Sequence, residues 1–348
     1  MKDVKGLLYV AVWIGLTGSV HAQSKVRLTE VPPANELRGE DLSTLVHAGL
    51  ESLQWGVLLE AEAGYSRAGS VEESDIKLAT FEFVMDAAVN DWLGGHVGFL
   101  WEEDDTDPVD LDEGYIILGG EAANGFYGQA GKFYLPFGNF ETAFISDPLT
   151  LELAEINKSS AMAGYATEWF DISAGVFKGD EDDVIQCGYA AVNFNVGETA
   201  VVGAYVLSDL LEADGFADLN TNFADRVAGA GGYVNVFVGP LMLNAEVVSA
   251  LDTIDFGGGE KMQPVAYNLE ASCAFSEKWA AGLKYEGSDE FYTEFDAGLG
   301  GLFYETGIGG VVSYGFHDNA VIGVEYMRQL NKGADDADLV TVQLALEI

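Results

Sequence analysis

The chain ends on a segment in which apolar residues occupy every second position. Val340, Val342, Leu344, Leu346 and Ile348 are apolar, and the residues between them are polar or small. A period of two places the two sets on opposite faces of a β-strand. Because a strand at the edge of a sheet exposes unpaired backbone groups, we expect this strand to be paired. Closure of a barrel against the first strand is one solution.

The same alternation recurs from Gln54 onward, in segments of about ten residues. Tight turns and longer acidic loops separate the segments in turn. This pattern predicts an all-β fold, a single transmembrane antiparallel β-barrel of about sixteen strands over residues 54–348. Loops of systematically alternating length argue against a soluble sandwich, and short turns of bacterial barrels face the periplasm. The predicted strands are 55–65, 81–89, 93–101, 111–119, 126–135, 160–167, 170–178, 185–194, 199–208, 227–237, 241–250, 263–275, 279–287, 304–316, 320–329 and 340–348.

Composition supports a barrel in a membrane. The chain is 49% hydrophobic with a mean hydropathy of +0.12, yet its formal net charge is −41. A barrel reconciles the two values, because apolar residues face lipid while charges collect in the lumen and the extracellular loops. With 16 Lys and Arg against 57 Asp and Glu, nucleic acid is not an expected partner. A further interpretation is that the acidic loops only keep the surface soluble.

The first 22 residues are typical of a secretory signal peptide. Lys2 and Lys5 precede an apolar run at 7–16, and a small-residue cleavage site ends at Ala22. A membrane anchor is the alternative, but the apolar run is shorter than the roughly 20 residues of a spanning helix. Residues 23–53 are predicted to form a periplasmic N-terminal segment, with a short helix at 36–49. Cys187 and Cys273 are predicted to be ordinary strand residues.

The parity opposite to the apolar face predicts which side chains line the pore. Carboxylates dominate this set, and rings of carboxylates favour cations. The alternative is a lumen that is polar and wet without selecting strongly. The predicted pore-lining residues are Glu60, Glu62, Glu82, Asp86, His96, Asn244, Glu246, Asn268, Glu270, Lys284, Glu286, Glu305, Glu325 and Gln343.

A long segment without alternation follows the strand that ends near residue 135. Pro136 and Gly138 end that strand sharply. Residues 143–158 are numerous enough to fold inward and narrow the pore, or they form a surface loop pinned by Pro136 and Pro148. The constriction-loop candidates are Lys132, Glu141, Asp147, Glu152, Glu155 and Lys158.

Part of this region resembles a known family. The run from Gly131 to Phe140 reads GKFYLPFGNF, and Asp147-Pro148-Leu149-Thr150 and Glu152 follow it. Together with the upstream LDEGYIILG at 111–119, this is similar to the LbtU family of siderophore porins. The resemblance implies an outer-membrane barrel connected to TonB-independent ferric-siderophore passage.

These observations predict a porin of the Gram-negative outer membrane that works by passive diffusion. Its expected partners are membrane lipid and a small-molecule or cation cargo, with a ferric siderophore as one cargo and a homotrimer as one assembly by analogy. A general cation-selective porin and a structural barrel that holds an envelope partner are the alternatives. No enzyme is predicted because the sequence has no triad or P-loop, and no cofactor or metal centre because its four histidines are scattered.

Overall fold

The computed structural model describes residues 52–103, 109–180, 182–217, 226–257, 260–290, 304–331 and 335–348. Sixteen strands within these ranges close into one antiparallel barrel, as the alternation predicted. The strands of the barrel are β1 (Ser52–Ala68), β2 (Val71–Asn90), β3 (Leu93–Trp101), β4 (Asp110–Gly119), β5 (Phe126–Tyr134), β6 (Asn157–Ala166), β7 (Phe170–Phe177), β8 (Cys187–Val196), β9 (Ala200–Leu207), β10 (Gly229–Val238), β11 (Leu241–Ala250), β14 (Val265–Ala274), β15 (Trp279–Asp289), β16 (Thr306–His317), β17 (Ala320–Leu330) and β18 (Ala337–Glu347).

Smaller elements lie between these strands. β12 (Ile254–Gly257) and β13 (Glu260–Met262) form a two-stranded sheet of their own. Two short helices, α1 (Leu149–Ala154) and α2 (Asp214–Ala217), follow β5 and β9, and single 3₁₀ turns cover Glu121–Ala123 and Leu210–Glu212. None of the helices among the described residues is long and apolar enough to cross a membrane.

The barrel closes where the last strand pairs with the first. β1 and β18 are antiparallel in a register that runs from Leu58 opposite Glu347 to Ala68 opposite Ala337. Val340 and Leu344 are exposed on the outer wall, whereas Gln343 is buried inside and donates to the Glu62 carboxylate at 2.9 Å. The two faces of the final strand are therefore the ones that its period of two predicted.

The outer wall carries an apolar band with aromatic residues at both ends. Leu283, Ile308 and Val324 are exposed outside on β15, β16 and β17. Exposed aromatic side chains flank the band, at the short turns (Trp92, Phe126, Trp169, Phe194, Phe275, Trp279, Phe316) and towards the opposite ends of the strands (Tyr65, Tyr285, Tyr326). Such a band between two aromatic girdles is the surface that barrels present to lipid.

Three sequence expectations need correction or lie outside the described residues. β1 begins at Ser52, within the predicted periplasmic segment, and continues past residue 65 to Ala68. β2 begins at Val71, ten residues before the predicted start at 81. The segment between the predicted strands 241–250 and 263–275 contains β12 and β13, because strands this short give too little alternation to be recognised. The predicted signal peptide and helix at 36–49 lie outside the described residues.

On one side, the interior of the barrel is filled with packed side chains. Residues 135–156, which connect β5 to β6 and are called the inner loop here, place Phe137, Leu149 and Leu153 in a buried apolar cluster. Inward-facing tyrosines of three strands complete this cluster, namely Tyr189 of β8, Tyr205 of β9 and Tyr233 of β10. The side of the lumen at β8–β10 is therefore filled with side chains.

Candidate functional site

The inner loop leaves the wall through a tight turn at its first residues. Leu135 N–H donates to the Ile156 carbonyl at 2.9 Å, which closes the neck of the loop. Gly138 has φ of +127°, and a Cβ at this position would lie 1.9 Å from the Phe140 ring. A side chain cannot be accommodated there, so glycine is required for the chain to turn inward after Pro136.

Wall carboxylates accept hydrogen bonds from the backbone of the inner loop. Glu246 on β11 accepts from Asn139 N–H at 2.7 Å and from Phe140 N–H at 2.9 Å. Glu270 on β14 accepts from the Thr142 hydroxyl at 2.6 Å and from Ala143 N–H at 2.9 Å. These bonds join the loop to strands more than 100 residues away in sequence.

Two further carboxylates continue this pattern along the wall. Glu325 on β17 accepts from Ile145 N–H at 2.6 Å and from Ser146 N–H at 3.1 Å. Glu286 on β15 accepts from Leu149 N–H at 2.9 Å, at the start of α1. We call Glu246, Glu270, Glu286 and Glu325 the carboxylate row. Their charges are directed at buried N–H groups, where charge-assisted hydrogen bonds are strong.

The lysine predicted to line the pore is buried beneath the same loop. Lys284 Nζ donates to the Ser146 carbonyl at 3.0 Å and lies 3.6 Å from Glu270 and 3.9 Å from Glu286. The ammonium also sits 4.7 Å from the centroid of the Phe144 ring, and its side chain is fully buried. Its positive charge is therefore compensated within the wall.

Glycines on β15–β17 make room for the loop. A Cβ at Gly309 would lie 1.9 Å from Met327 Sδ and 3.1 Å from the Phe144 ring. At Gly282 it would lie 3.3 Å from the Phe144 ring, and at Gly323 it would lie 3.2 Å from Ile145 Cδ1. The loop can approach this part of the wall closely because these three positions carry no side chain.

Asp147 is the exposed carboxylate of the inner loop. It lies between Ser146 and Leu149, whose N–H groups donate to Glu325 and Glu286. The Asp147 side chain is exposed, whereas Pro148 and Leu149 are buried. The charge of Asp147 interacts with those of Glu60 and Glu62 on β1, a strand separated from β17 by β18 alone. Carboxylates from the loop and from β1 are therefore near one another.

Burial changes the acidity of the remaining loop carboxylates. Burial, followed by the charges of Asp147 and Glu286, raises the pKa of Glu152 in α1 to about 7. Burial and the neighbouring charge of Asp214 raise the pKa of Glu155 well above its usual range. Asp147 is thus the exposed acid of the loop, and Glu152 adds charge mainly above neutral pH.

The other constriction-loop candidates have different positions. Lys132 lies on β5, where it donates to the Leu111 carbonyl at 2.9 Å, and Lys158 lies on β6. Both are therefore wall residues outside the inner loop, because Lys132 lies within β5 and because β6 begins at Asn157, before its predicted start at 160. Glu141 does belong to the loop and accepts from Asn235 Nδ2 at 2.8 Å.

Lys158 on β6 is part of a group of ion pairs that involves two connections, β7–β8 and β9–β10. Its ammonium lies 2.7 Å from Asp180 and 3.2 Å from Glu212. Arg226 contacts Asp182 and lies 3.7 Å from Asp209. Both cations are thereby compensated by carboxylates.

Of the remaining predicted pore-lining residues, Asn244 and Asn268 lie buried on β11 and β14, and the others lie on the β1–β3 side or beside β16. Glu82 on β2 is close enough to Glu60 and Glu113 for their charges to interact. His96 on β3 bonds Asp86 through Nδ1 at 2.8 Å and stacks on Tyr115 at a centroid distance of 4.9 Å. Glu305 immediately precedes β16, and its N–H donates to the Leu330 carbonyl at 3.1 Å.

Sequence reasoning missed the aromatic side of the interior. Tyr205 OH donates to Glu246 at 2.7 Å, and Asp214 N–H of α2 donates to the Glu155 carbonyl at 2.8 Å. A second connection, between the predicted strands 199–208 and 227–237, thus packs on the inner loop. The available signal was the tyrosine at the inward parity of three successive strands, where polar residues are expected.

Comparisons with known proteins agree with this architecture. No protein-family model matches the chain. It is 24% identical to the UPF0422 protein of Coxiella burnetii over 259 residues, 65% of this chain and 55% of that protein. It is also 24% identical to a UPF0422 protein of Legionella pneumophila over 47% of this chain and 34% of that protein. The chain thus matches about half the length of these relatives or less.

Solved structures share the whole barrel. The outer membrane channel DcaP of Acinetobacter baumannii matches with a TM-score of 0.63 and 14% identity over 86% of this chain and 98% of that one. The anion-selective porin from Comamonas acidovorans matches with a TM-score of 0.62 and 11% identity over 85% and 99%. OmpF of Salmonella typhi matches with a TM-score of 0.62 and 11% identity over 87% of this chain and 99% of that one. The fold is that of outer-membrane porins.

Within the described residues, no group of three or more His, Cys, Asp or Glu is arranged to hold a metal ion. Cys187 and Cys273 are both free thiols. The charged groups of the described interior include carboxylates on the inner loop and on the β1–β3 wall.

Proposed function

We propose that this protein is an outer-membrane porin through which small solutes diffuse passively, with a preference for cations. The observation that carries the proposal is the exposed carboxylate of Asp147, whose charge interacts with those of Glu60 and Glu62 on β1. At the same level Lys284 is fully buried and paired with Glu270 and Glu286. A passing ion therefore meets negative charge at the loop, which favours cations.

The pathway that fits this charge distribution runs along β18 and β1–β3. On the opposite side the inner loop and the tyrosines of β8–β10 form a buried apolar cluster. Porin neighbours support the proposal at the level of the fold. One of them, OmpT of Vibrio cholerae, was solved in a trimer form with a TM-score of 0.55, and a homotrimer in the outer membrane is the assembly we propose.

Reversal potential in a planar bilayer under a salt gradient tests the proposal. The wild-type protein is expected to pass cations over anions, and Asp147→Asn is expected to lower the permeability ratio up to about fivefold. That figure corresponds to about 1 kcal/mol for one charge at about 4 Å in water. The matched control is Asp318→Asn, which removes the same charge from the exposed turn between β16 and β17.

Three results would contradict the proposal. An anion preference of the wild-type protein would overturn cation selection. Equal cation-to-anion permeability ratios for Asp147→Asn and the control would show that the inner loop does not set the selectivity. Absence of conductance would instead favour a structural barrel that holds an envelope partner.

Ferric-siderophore passage is a second candidate function. Its support is the resemblance to the LbtU family at Gly131–Phe140 and Asp147–Glu152, which lie at the end of β5 and in the inner loop. Added to the same bilayer, a ferric siderophore that enters the pore should block the ion current transiently, and an unaffected current argues against it. Because the loop presents carboxylates, an uncharged or cationic siderophore is the better match.

A further inference from the structure

The wall of β3 and β4 carries a histidine whose surroundings differ from those of the carboxylate row. His96 points into the barrel and is 8% exposed. Its Nδ1 lies 2.8 Å from Asp86. Because an ionised carboxylate only accepts, Nδ1 carries the proton, and the lone pair of a neutral imidazole is then on Nε2.

Nε2 is buried and has no hydrogen-bond partner. It lies 3.7 Å from Glu113 Oε2, which is too long for a hydrogen bond. Two ligands about 2.1 Å from one metal ion and about 120° apart lie about 3.6 Å from each other. The separation of Nε2 and the Glu113 oxygen therefore fits two ligands of one metal ion.

The surroundings complete the arrangement. A metal-bound histidine usually donates its other ring N–H to a carboxylate, which fixes the ring and raises its basicity. Asp86 occupies that position, and the Tyr115 ring stacks on the imidazole at 4.9 Å. Gly98 follows on the same face of β3, and even a Cβ there would stay 3.5 Å from Nε2.

The lumen side of the site is acidic. The Glu113 side chain is 14% exposed, so the site can be reached from that side. Glu82 is close enough to interact electrostatically with both Asp112 and Glu113. These charges favour a divalent cation, and the imidazole nitrogen selects Zn²⁺, Cu²⁺, Ni²⁺ or Fe²⁺ over Ca²⁺ and Mg²⁺.

We propose that His96 Nε2 and the Glu113 carboxylate form a binding site for one divalent first-row transition-metal ion on the lumen wall. With two protein ligands the ion keeps water in its remaining positions, so binding is weak and exchangeable. The site does not depend on whether the barrel conducts, because it is defined by the geometry of β3 and β4.

The test is electron paramagnetic resonance of Cu²⁺ added to the full chain, folded in detergent at slightly alkaline pH. Excess Ca²⁺ is present to occupy the many carboxylates that bind cations without selectivity. We expect nitrogen hyperfine lines from one imidazole, their loss in His96→Gln, and unchanged lines in the control His317→Gln. His317 lies exposed at the end of β16.

A second variant keeps the His96 ligand and changes the carboxylate that is hydrogen-bonded to it. Asp86→Asn is expected to preserve the nitrogen lines and to weaken Cu²⁺ binding about tenfold. It keeps the proposal testable if His96→Gln does not fold. The proposal is wrong if wild-type protein shows no nitrogen lines, which would leave His96 as an imidazolium held between Asp86 and Glu113. It is equally wrong if His96→Gln binds Cu²⁺ with an unchanged spectrum.

Discussion

At the scale of single residues, Glu270 of the carboxylate row connects the inner loop to neighbouring side chains of the wall. It accepts from the Thr142 hydroxyl, from Ala143 N–H and from Asn268 Nδ2, and lies 3.6 Å from Lys284. In Glu270→Gln the side chain keeps its shape but one acceptor oxygen becomes a donor, and Lys284 loses a counter-ion. We expect the free energy of unfolding to fall by about 1.5–3 kcal/mol, as for hydrogen bonds to charged groups.

Urea denaturation of the folded barrel, followed by its electrophoretic mobility, measures this effect. The matched control is Glu277→Gln, which makes the same substitution on the exposed turn between β14 and β15. We also expect noisier single-channel currents, because the loop near Ala143 loses an anchor. Equal stability of the two variants would mean that the carboxylate row does not hold the loop.

The same residues show what the sequence could and could not predict. The period of two identified Glu246, Glu270 and Glu325 as inward-facing, and each side chain does contact the interior. Their partners are backbone groups of the inner loop, more than 100 residues away in sequence. Periodicity carries no information about such partners, so acids that hold a loop and acids that face the pore look alike.

At the scale of elements, the inner loop and its glycine-lined wall form one packing unit. Gly309 on β16 faces Met327 and Phe144, and an added Cβ would meet Met327 Sδ at 1.9 Å and the Tyr326 carbonyl at 2.9 Å. Gly309→Ala is therefore expected to displace the loop and to cost about 1–3 kcal/mol, as overpacking does. Gly64→Ala on β1 is the matched control, since nothing lies within 4 Å of its Cβ position.

Thermal unfolding of both variants checks this packing. A lower midpoint for Gly309→Ala alone supports close approach of the loop, and equal midpoints contradict it.

Long alternating strands were predictable because each gives about ten residues of pattern. The helix α1 (Leu149–Ala154) was not, since six residues that are mostly buried show no periodicity.

At the scale of the whole molecule, the interior is divided into an apolar half and an acidic half. Ala191 of β8 belongs to the buried apolar cluster, whereas Glu62 of β1 lies on the acidic side with Gln343 as its partner. Net charge and hydropathy predict that both kinds of surface exist. They do not predict that the barrel keeps them on opposite sides, because that depends on which way the inner loop folds.

Single cysteines placed on the two sides test this division directly. In a background with Cys187 and Cys273 replaced by alanine, Glu62→Cys and Ala191→Cys are each treated with a cationic methanethiosulfonate in the bilayer. We expect the reagent to lower the current through Glu62→Cys, since it adds a positive group to the cation pathway. Ala191→Cys should not react, because this position is buried in the apolar cluster. Equal reaction of both cysteines would mean that solutes pass across the whole lumen, and the apolar half would then be part of the pore.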